Sequence, residues 1–407
     1  MSQLIPRTRP RIGMAALVLT SVCLLAACGG GDVAQALKPG HLILSQDRST
    51  SPRLPVGTRT RFVHYSMESV DASLTYASAL MFTPPGPAPA GGWPLAVWAH
   101  GTTGVADSCA PSRAPGYADI DAVAALLEQG MAVLAPDYEG LGTPGAHPYF
   151  IRKSHALGVL RAVQAVMADK DQRLASRWAV IGHSQGGNVA LAAAEEAAVV
   201  AGIGSPKAVV LLAPGWDLAK TAADLFGQID VLEAQGQVEQ AALITLFLNF
   251  NGALVLQGAK AAQPSIDVRR YFGARMQPLV DLALNERTCG DFFTAVLSDL
   301  NAWVGAGNTV ASYPGLRRDF ASDPVIAGLL ASNDVGKVRV NAPIRVVQGT
   351  ADEQVPAVAT RRLVSRLQSI GVAVDLIEIP DGDHGSAVEP AVLGKSAAYL
   401  GARLRSP

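Results

Sequence analysis

Blocks of apolar residues alternate along most of the chain, and they predict strands and helices in turn. The stretches 61–67 and 73–84 have the pattern of strands, the second with period-two alternation. Further strands are predicted at short, mostly apolar runs: 93–101, 131–136, 178–183, 208–214, 344–349 and 374–380. Between them, apolar residues recur at helical spacing, most clearly over 154–168. Apolar strands alternating with helices predict an α/β protein whose mostly parallel sheet is covered on both faces.

The alternation stops in the middle of the chain. Residues 215–338 show helical patterns without a clear strand, and the stretch 240–258 is apolar nearly all round. This segment divides the α/β core into two parts, 59–214 and 339–407. An unrelated accessory domain is one interpretation. The position of this segment between the strands at 208–214 and 344–349 favours the other interpretation, a helical cap over one end of the sheet.

The N-terminus has the pattern of an export signal. Arg7, Arg9 and Arg11 precede an apolar stretch at 12–27. The stretch is shorter than the roughly 20 residues that cross a bilayer, so we expect residues 1–27 to be a cleaved signal peptide.

The end of that signal, "LAAC" before three glycines, resembles a bacterial lipoprotein box. The resemblance implies that Cys28 carries lipid, that residues 28–58 form a flexible tether, and that the protein is anchored in the cell envelope, at the outer membrane. The alternative is an ordinary secretion signal followed by a cysteine without a role.

Composition narrows the functional classes. With 407 residues, 49% of them hydrophobic, the chain can bury a large core. Its net charge of −1 gives no electrostatic reason to bind nucleic acid. Neither H-x-x-x-H nor C-x-x-C occurs, so no metal is expected, and no motif calls for a cofactor. In an oxidising compartment Cys109 and Cys289, the two cysteines beyond the signal and anchor, form either a bridge or two free thiols.

The sequence "VIGHSQGGNVAL" joins a predicted strand to a predicted helix with Ser184 at the junction. A G-x-S-x-G run in that context is the nucleophile elbow of the α/β-hydrolase fold, which exposes the serine oxygen at the carboxyl edge of the sheet. Gly182 and Gly186 are small because strand and helix nearly touch there. Gln185 opens the helix, and its backbone N–H is predicted to face a developing oxyanion.

A serine hydroxyl needs a base, and in this fold the base is a histidine that follows an acid in the chain. His384 is the only histidine after Ser184, in a loop directly after the strand at 374–380. Asp352 follows the strand at 344–349 and is the predicted acid, with Glu353 as the alternative. The neighbouring groups for which we expect structural roles are His183 and Asp383.

The second oxyanion donor is expected after the strand at 93–101. There "AHGTTG" lets the backbone pass close to the nucleophile, and the N–H of Thr102 is the predicted donor, with Thr103 as the alternative. The hydroxyl of Thr102 offers a further bond.

Five segments together resemble the secretory lipase family, the lipase-A-like branch of the α/β-hydrolases. They are "AHGTTGVADSCAPS", "PDYEGLG", "GHSQGG", "GTADEQVP" and "DGDHG". The resemblance covers roughly residues 60–405 and includes the position of the cap. It implies a Ser-His-Asp ester hydrolase in which the cysteine of the "CAPS" segment is bridged to the cap, which here means Cys109 to Cys289. The best-known members are secreted fungal lipases, whereas this chain has a bacterial-type lipoprotein box. The substrate preference of those members therefore does not transfer to this chain.

These observations predict a serine hydrolase of carboxylic esters that works through an acyl-enzyme. The apolar cap indicates hydrophobic acyl or polyester substrates. A serine peptidase of the same fold is the first alternative, although no acidic cluster for a substrate amine is evident in the cap. A non-catalytic binding protein of this fold is the second, and such proteins usually lack a member of the triad.

Overall fold

A computed structural model describes residues 38–114 and 117–405 of the protein. The predicted signal peptide and lipidated Cys28 lie outside the described residues, as does the first part of the predicted tether.

Within these described residues, nine strands form one sheet in the order β1-β2-β3-β5-β4-β6-β7-β8-β9. Their bounds are β1 Leu42–Arg48, β2 Arg59–Glu68, β3 Leu74–Thr83, β4 Trp93–Ala99, β5 Ala132–Pro136, β6 Leu174–His183, β7 Val209–Leu212, β8 Ile344–Gly349 and β9 Val374–Ile379. The pairs β1·β2, β2·β3 and β3·β5 are antiparallel. The remaining pairs, from β5·β4 through β8·β9, are parallel. The carboxyl ends of the parallel strands therefore meet at one edge of the sheet, as the sequence pattern predicted.

Helices cover both faces of this sheet. The α-helices are α1 Ile120–Glu128, α2 Arg152–Ala168, α3 Gln185–Glu196, α4 Leu218–Ala234, α5 Val238–Ala262, α6 Asp291–Gly305, α7 Pro324–Asn333, α8 Ala357–Ser369 and α9 Pro390–Arg405. One buried apolar cluster joins the sheet to α2, α3 and α8, and a second joins its other face to α1 and α9. Successive strand residues alternate between the two clusters, as in β4, where Val97 belongs to the first and Trp98 to the second. The α/β-hydrolase fold expected from the sequence is confirmed.

Helices α4 to α7 form the predicted cap between β7 and β8. They enclose an apolar core of their own, which includes Leu225, Ile244, Leu254 and Phe292. Within the described residues, α5 is the one helix long and apolar enough to cross a membrane, but 67% of its most apolar window is buried inside the protein. Its all-round apolar pattern is accounted for because it is the central helix of the cap.

Strand β1 corrects the predicted tether. The tether was expected to extend through residue 58, yet Leu42–Arg48 pairs with β2 as an antiparallel edge strand. Its side chains are half-buried or exposed, because an edge strand contacts the core on a limited part of its surface. The strand therefore lacks the continuous apolar run that identified the central strands.

Candidate active site

Ser184 lies in a sharp turn between β6 and α3, with φ of 56° and ψ of −116°. A positive φ is unfavourable for a residue with a side chain and persists only where the surroundings enforce it. A Cβ on Gly182 would lie 2.0 Å from the carbonyl oxygen of Gly186, and a Cβ on Gly186 would lie 1.9 Å from that of Ala99. Both glycines are thus required by the close approach of α3 to β6 and β4.

Backbone hydrogen bonds hold this turn against the neighbouring strand. The N–H of Ser184 donates to the carbonyl of Leu212 at the end of β7, at 2.8 Å. The carbonyl of Ser184 accepts from the N–H of Gly187 at 3.0 Å and from that of Gly215 at 3.1 Å. The side chain of Ser184 is therefore presented at the carboxyl edge of the sheet by fixed backbone.

The predicted acid and base form a hydrogen-bonded pair. Nδ1 of His384 lies 2.8 Å from Oδ2 of Asp352, whose side chain has no exposed surface. The other carboxylate oxygen accepts the backbone N–H groups of Gln354 at 2.9 Å and Val355 at 2.8 Å, and Gln348 Nε2 donates to Oδ2 at 3.0 Å. Because a carboxylate only accepts, Nδ1 of His384 carries the proton and Nε2 is left as a base.

His183 places this pair beside the elbow. Its Nε2–H donates to the carbonyl oxygen of His384 at 3.1 Å, and the two imidazole rings lie 4.7 Å apart. Burial lowers the pKa of His183 to about 3, so its ring is neutral. This contact is the structural role expected for His183, and it links the residue before Ser184 to the histidine loop.

The predicted oxyanion donors flank Ser184. A Cβ on Gly101 would lie 3.8 Å from Cβ of Ser184, so the loop after β4 passes directly beside the serine. Gln185 begins α3, and the first N–H groups of a helix have no partner inside it. No hydrogen bond within the described part of the chain uses the backbone N–H of Thr102 or of Gln185. Both groups are therefore free to bind an oxygen at this site.

A buried histidine cluster supports Gln185 from behind. The side-chain amide of Gln185 donates to Nε2 of His147 at 3.0 Å, and Nδ1 of His147 donates to the carbonyl of Glu139 at 2.7 Å. Burial lowers the pKa of His147 to about 3, which keeps Nε2 as an acceptor. A second histidine, His155, lies on the same amide at 3.4 Å. The first residue of α3 is thereby fixed by its side chain as well as by its backbone.

Ser184 and Thr102 open on an apolar cavity between core and cap. The core contributes Tyr149, Phe150, Trp216, Gln354 and Val355 to its wall, and the cap contributes Leu218, Leu225, Phe247, Leu248, Val255, Leu316 and Phe320. None of the described residues that line it carries a charge. The arrangement can therefore hold an apolar chain with its reacting carbonyl beside the serine.

A disulfide joins Cys109, in the loop after β4, to Cys289 in the cap. This is the pairing that the family resemblance implied. Next to it, the hydroxyl of Ser108 donates to the carbonyl of Glu286 at 2.9 Å. The loop that carries Thr102 is therefore tied to the cap a few residues further on.

Sequence reasoning missed several residues of the site. Gln348 lies four positions before Asp352 on the same strand end, a local spacing that could have pointed to it. His147 and Tyr149 belong to "HPYF", just before α2, and nothing local connects that segment to Ser184. Its only signal is a cluster of ring side chains at the start of a helix.

Comparison with known proteins agrees with this architecture. The profile of the alpha/beta hydrolase family matches residues 96–393. A search of curated proteins gives no match.

Among solved structures, the rice cell wall degrading esterase LipA from Xanthomonas oryzae is similar, with a TM-score of 0.68 and 18% identity over 90% of this chain and 100% of that one. A putative hydrolase from Legionella pneumophila has a TM-score of 0.69 and 18% identity, over 90% and 98%. Candida antarctica lipase A in its closed state has a TM-score of 0.65 and 16% identity, over 91% and 92%. At these identities the likeness shows a shared fold.

Proposed function

The chain belongs to the alpha/beta hydrolase family, and from this premise we propose that it is a serine hydrolase of carboxylic esters. One observation carries the proposal. Ser184 is held in a strained elbow on the wall of an apolar cavity, and the buried Asp352–His384 pair lies against the residue that precedes it. A histidine that keeps Nε2 unprotonated and lies against the residue before a half-buried serine supports a nucleophile and its base.

In the proposed reaction Ser184 Oγ attacks the ester carbonyl while Nε2 of His384 takes its proton. The N–H groups of Thr102 and Gln185 bind the resulting oxyanion. The imidazolium then gives the proton to the departing alcohol, which leaves an acyl-enzyme. Water, activated by the same histidine, attacks the acyl carbon and releases the acid and free serine. Asp352 fixes the imidazole tautomer and stabilises the imidazolium.

The cavity supports hydrophobic acyl groups or polyester segments as substrates. Leucine, valine and phenylalanine side chains from the cap line it, and burying an apolar chain there gains about 0.8 kcal/mol for each CH₂ removed from water. The absence of charge among the described lining residues weighs against an aminopeptidase, which needs an anion for the substrate amine. The solved neighbours that are an esterase and a lipase weigh in the same direction.

Two measurements test the proposal. A fluorophosphonate probe should label the wild type at Ser184 and leave Ser184→Ala unlabelled. A series of nitrophenyl esters of increasing acyl length, run beside a peptide panel, should show ester hydrolysis with a preference for medium or longer chains. Cleavage of peptides but not of esters would establish the peptidase instead. An unlabelled wild type would leave a non-catalytic binding protein.

We propose further that the protein is a lipoprotein of the cell envelope, anchored to the membrane by lipid attached to Cys28. The support is the sequence around Cys28 and its position shortly before the first strand. In detergent phase separation the mature wild type should enter the detergent phase, and a Cys28→Ala variant should not. If both remain in the aqueous phase, the protein is secreted without an anchor.

A further inference from the structure

Two hydroxyl groups meet on the wall of the cavity beside Ser184. Oγ1 of Thr102 lies 2.5 Å from the phenolic oxygen of Tyr149. Both residues line the cavity with Ser184, and Tyr149 is only 2% exposed. Within the described part of the chain, neither hydroxyl makes a second hydrogen bond. Thr102 also carries one of the two proposed oxyanion donors on its backbone, so this pair adjoins the position of the developing charge.

The chemistry of the two groups sets the direction of the bond. A phenol, with an ordinary pKa near 10, is a far stronger acid than an aliphatic alcohol and is therefore the better donor. Burial raises the pKa of Tyr149 further, so its hydroxyl stays protonated throughout the neutral range. The favoured arrangement has Tyr149 donating and Thr102 Oγ1 accepting.

That direction matters once a charge develops on the substrate. With Oγ1 of Thr102 occupied as an acceptor, its own proton is free to point at the oxyanion. If Thr102 donated to Tyr149 instead, its proton would be used in that bond, and the lone pairs of Oγ1 would face the negative charge. Hydrogen bonds in such a chain polarise one another, which strengthens the donor at its end.

We propose that Tyr149 is a positioning residue of the oxyanion hole, which orients the Thr102 hydroxyl as a third donor to the oxyanion. The inference rests on the proposed ester hydrolase function and extends it. Thr102 touches the reacting oxygen in this scheme, and Tyr149 acts only through Thr102.

The cap holds the tyrosine in place. A Cβ on Gly258 of α5 would lie 2.2 Å from the carbonyl oxygen of Tyr149, so this backbone rests directly on the central cap helix. The N–H of Tyr149 donates to the carbonyl of His147 at 2.9 Å, and its ring packs edge-on to Phe150 with centroids 4.8 Å apart. These contacts involve the backbone and the ring, so a phenylalanine at position 149 keeps them and loses only the hydroxyl.

The test is a double-mutant cycle of Tyr149→Phe and Thr102→Val on a nitrophenyl ester. Tyr149→Phe should lower kcat about twofold to tenfold, the worth of one neutral hydrogen bond, with KM unchanged. In a Thr102→Val background the same change should have no further effect, whereas in Thr102→Ser the loss should persist. The rate of Ser184 labelling by a fluorophosphonate, whose P=O oxygen occupies the oxyanion hole, should follow kcat.

Tyr313→Phe is the matched control. Tyr313 belongs to the same apolar cluster of the cap as Tyr149, and its hydroxyl donates to Asp299 at 2.8 Å, outside the cavity beside Ser184. The substitution removes this hydroxyl and should leave kcat unchanged.

The outcomes separate the two proposals. A wild type that is neither labelled nor active on esters overturns the proposed function and this inference with it. An active wild type in which Tyr149→Phe is silent, changes KM alone, or costs as much in the Thr102→Val background overturns only the role of Tyr149. Thermal unfolding of each variant identifies any loss that comes from misfolding.

Discussion

Removing the bridge between Cys109 and Cys289 should destabilise the whole protein. The bridge closes a loop with a sequence separation of 180 residues, one of whose ends lies in the core and the other in the cap. We consider the double variant Cys109→Ala/Cys289→Ser. Alanine suits the buried position 109, and serine suits the exposed position 289. Replacing both cysteines leaves no unpaired partner thiol at the site of the bridge.

The size of the effect follows from the length of the loop. A cross-link stabilises mainly by restricting the unfolded chain, and the chain-entropy relation gives about 5 kcal/mol for a loop of this length. Measured losses usually fall below that figure because the open chain keeps some structure. The Ser108–Glu286 hydrogen bond next to the bridge is unaffected by the substitutions. We therefore expect a loss of about 2–5 kcal/mol in the free energy of unfolding.

Urea-induced unfolding, followed by the fluorescence of the five tryptophans, measures this loss. The experiment compares wild type and double variant, each with and without a thiol reductant. Reductant should bring the wild type to the stability of the variant and leave the variant unchanged. A difference below about 1 kcal/mol, or an equal effect of reductant on both proteins, would refute the reasoning from loop closure.

Three further substitutions test other parts of the structure. Gly186→Ala should abolish soluble, folded protein because its Cβ has no space, whereas Gly394→Ala, in open space on α9, should keep the thermal midpoint or raise it. Asp352→Asn should lower kcat on a nitrophenyl ester by about 10⁴-fold, and Glu353→Gln should not, or the acid is misassigned. Burial raises the pKa of Asp334 to about 6, so its protonated form adds stability at low pH that is lost as pH rises through 6. Asp334→Asn should accordingly be more stable than wild type at pH 7.5 but not at pH 4, in thermal melts; equal gains at both would contradict this.

The central strands could be predicted because a strand buried on both faces consists mostly of apolar residues. The inner parallel strands are mostly apolar runs, and β5 and β7 are buried at every position. β1 has no such apolar run, because it lies at the edge of the sheet and its side chains are partly exposed to water. Its pairing depends on β2, which begins eleven residues after β1 ends, so hydrophobic pattern alone could not find it.

The candidate catalytic side chains could be anticipated for a different reason. Ser184 could be identified from its neighbours in the sequence, because the close approach of helix and strand requires glycine at positions 182 and 186. Asp352 and His384 each follow a strand, and parallel strands bring their carboxyl ends to one edge. Tyr149 carries no such signal. It reaches Thr102 because the cap packs on its backbone, and the packing of the cap does not follow from strand order.

Several contacts bind the cap to the core around the cavity. Besides the disulfide, the hydroxyl of Ser108 donates to the carbonyl of Glu286 at 2.9 Å, and the backbone N–H of Arg152 donates to the side chain of Asn333 at 3.0 Å. Breaking all of these at once would be required to lift the cap as a unit, and the disulfide prevents it near Cys289. Substrate should therefore enter the cavity without displacement of the whole cap.

This attachment predicts the kinetics on a triglyceride that forms an emulsion. Because no large movement of the cap is needed, the rate on tributyrin should rise smoothly with concentration and show no step where the substrate becomes insoluble. Initial rates across that limit, with a fully soluble nitrophenyl ester as reference, make the measurement. A sharp increase at the solubility limit, absent from the soluble ester, would mean that an interface opens the site. The contacts between cap and core would then have to break during turnover, and the loss of the disulfide would be expected to flatten the step.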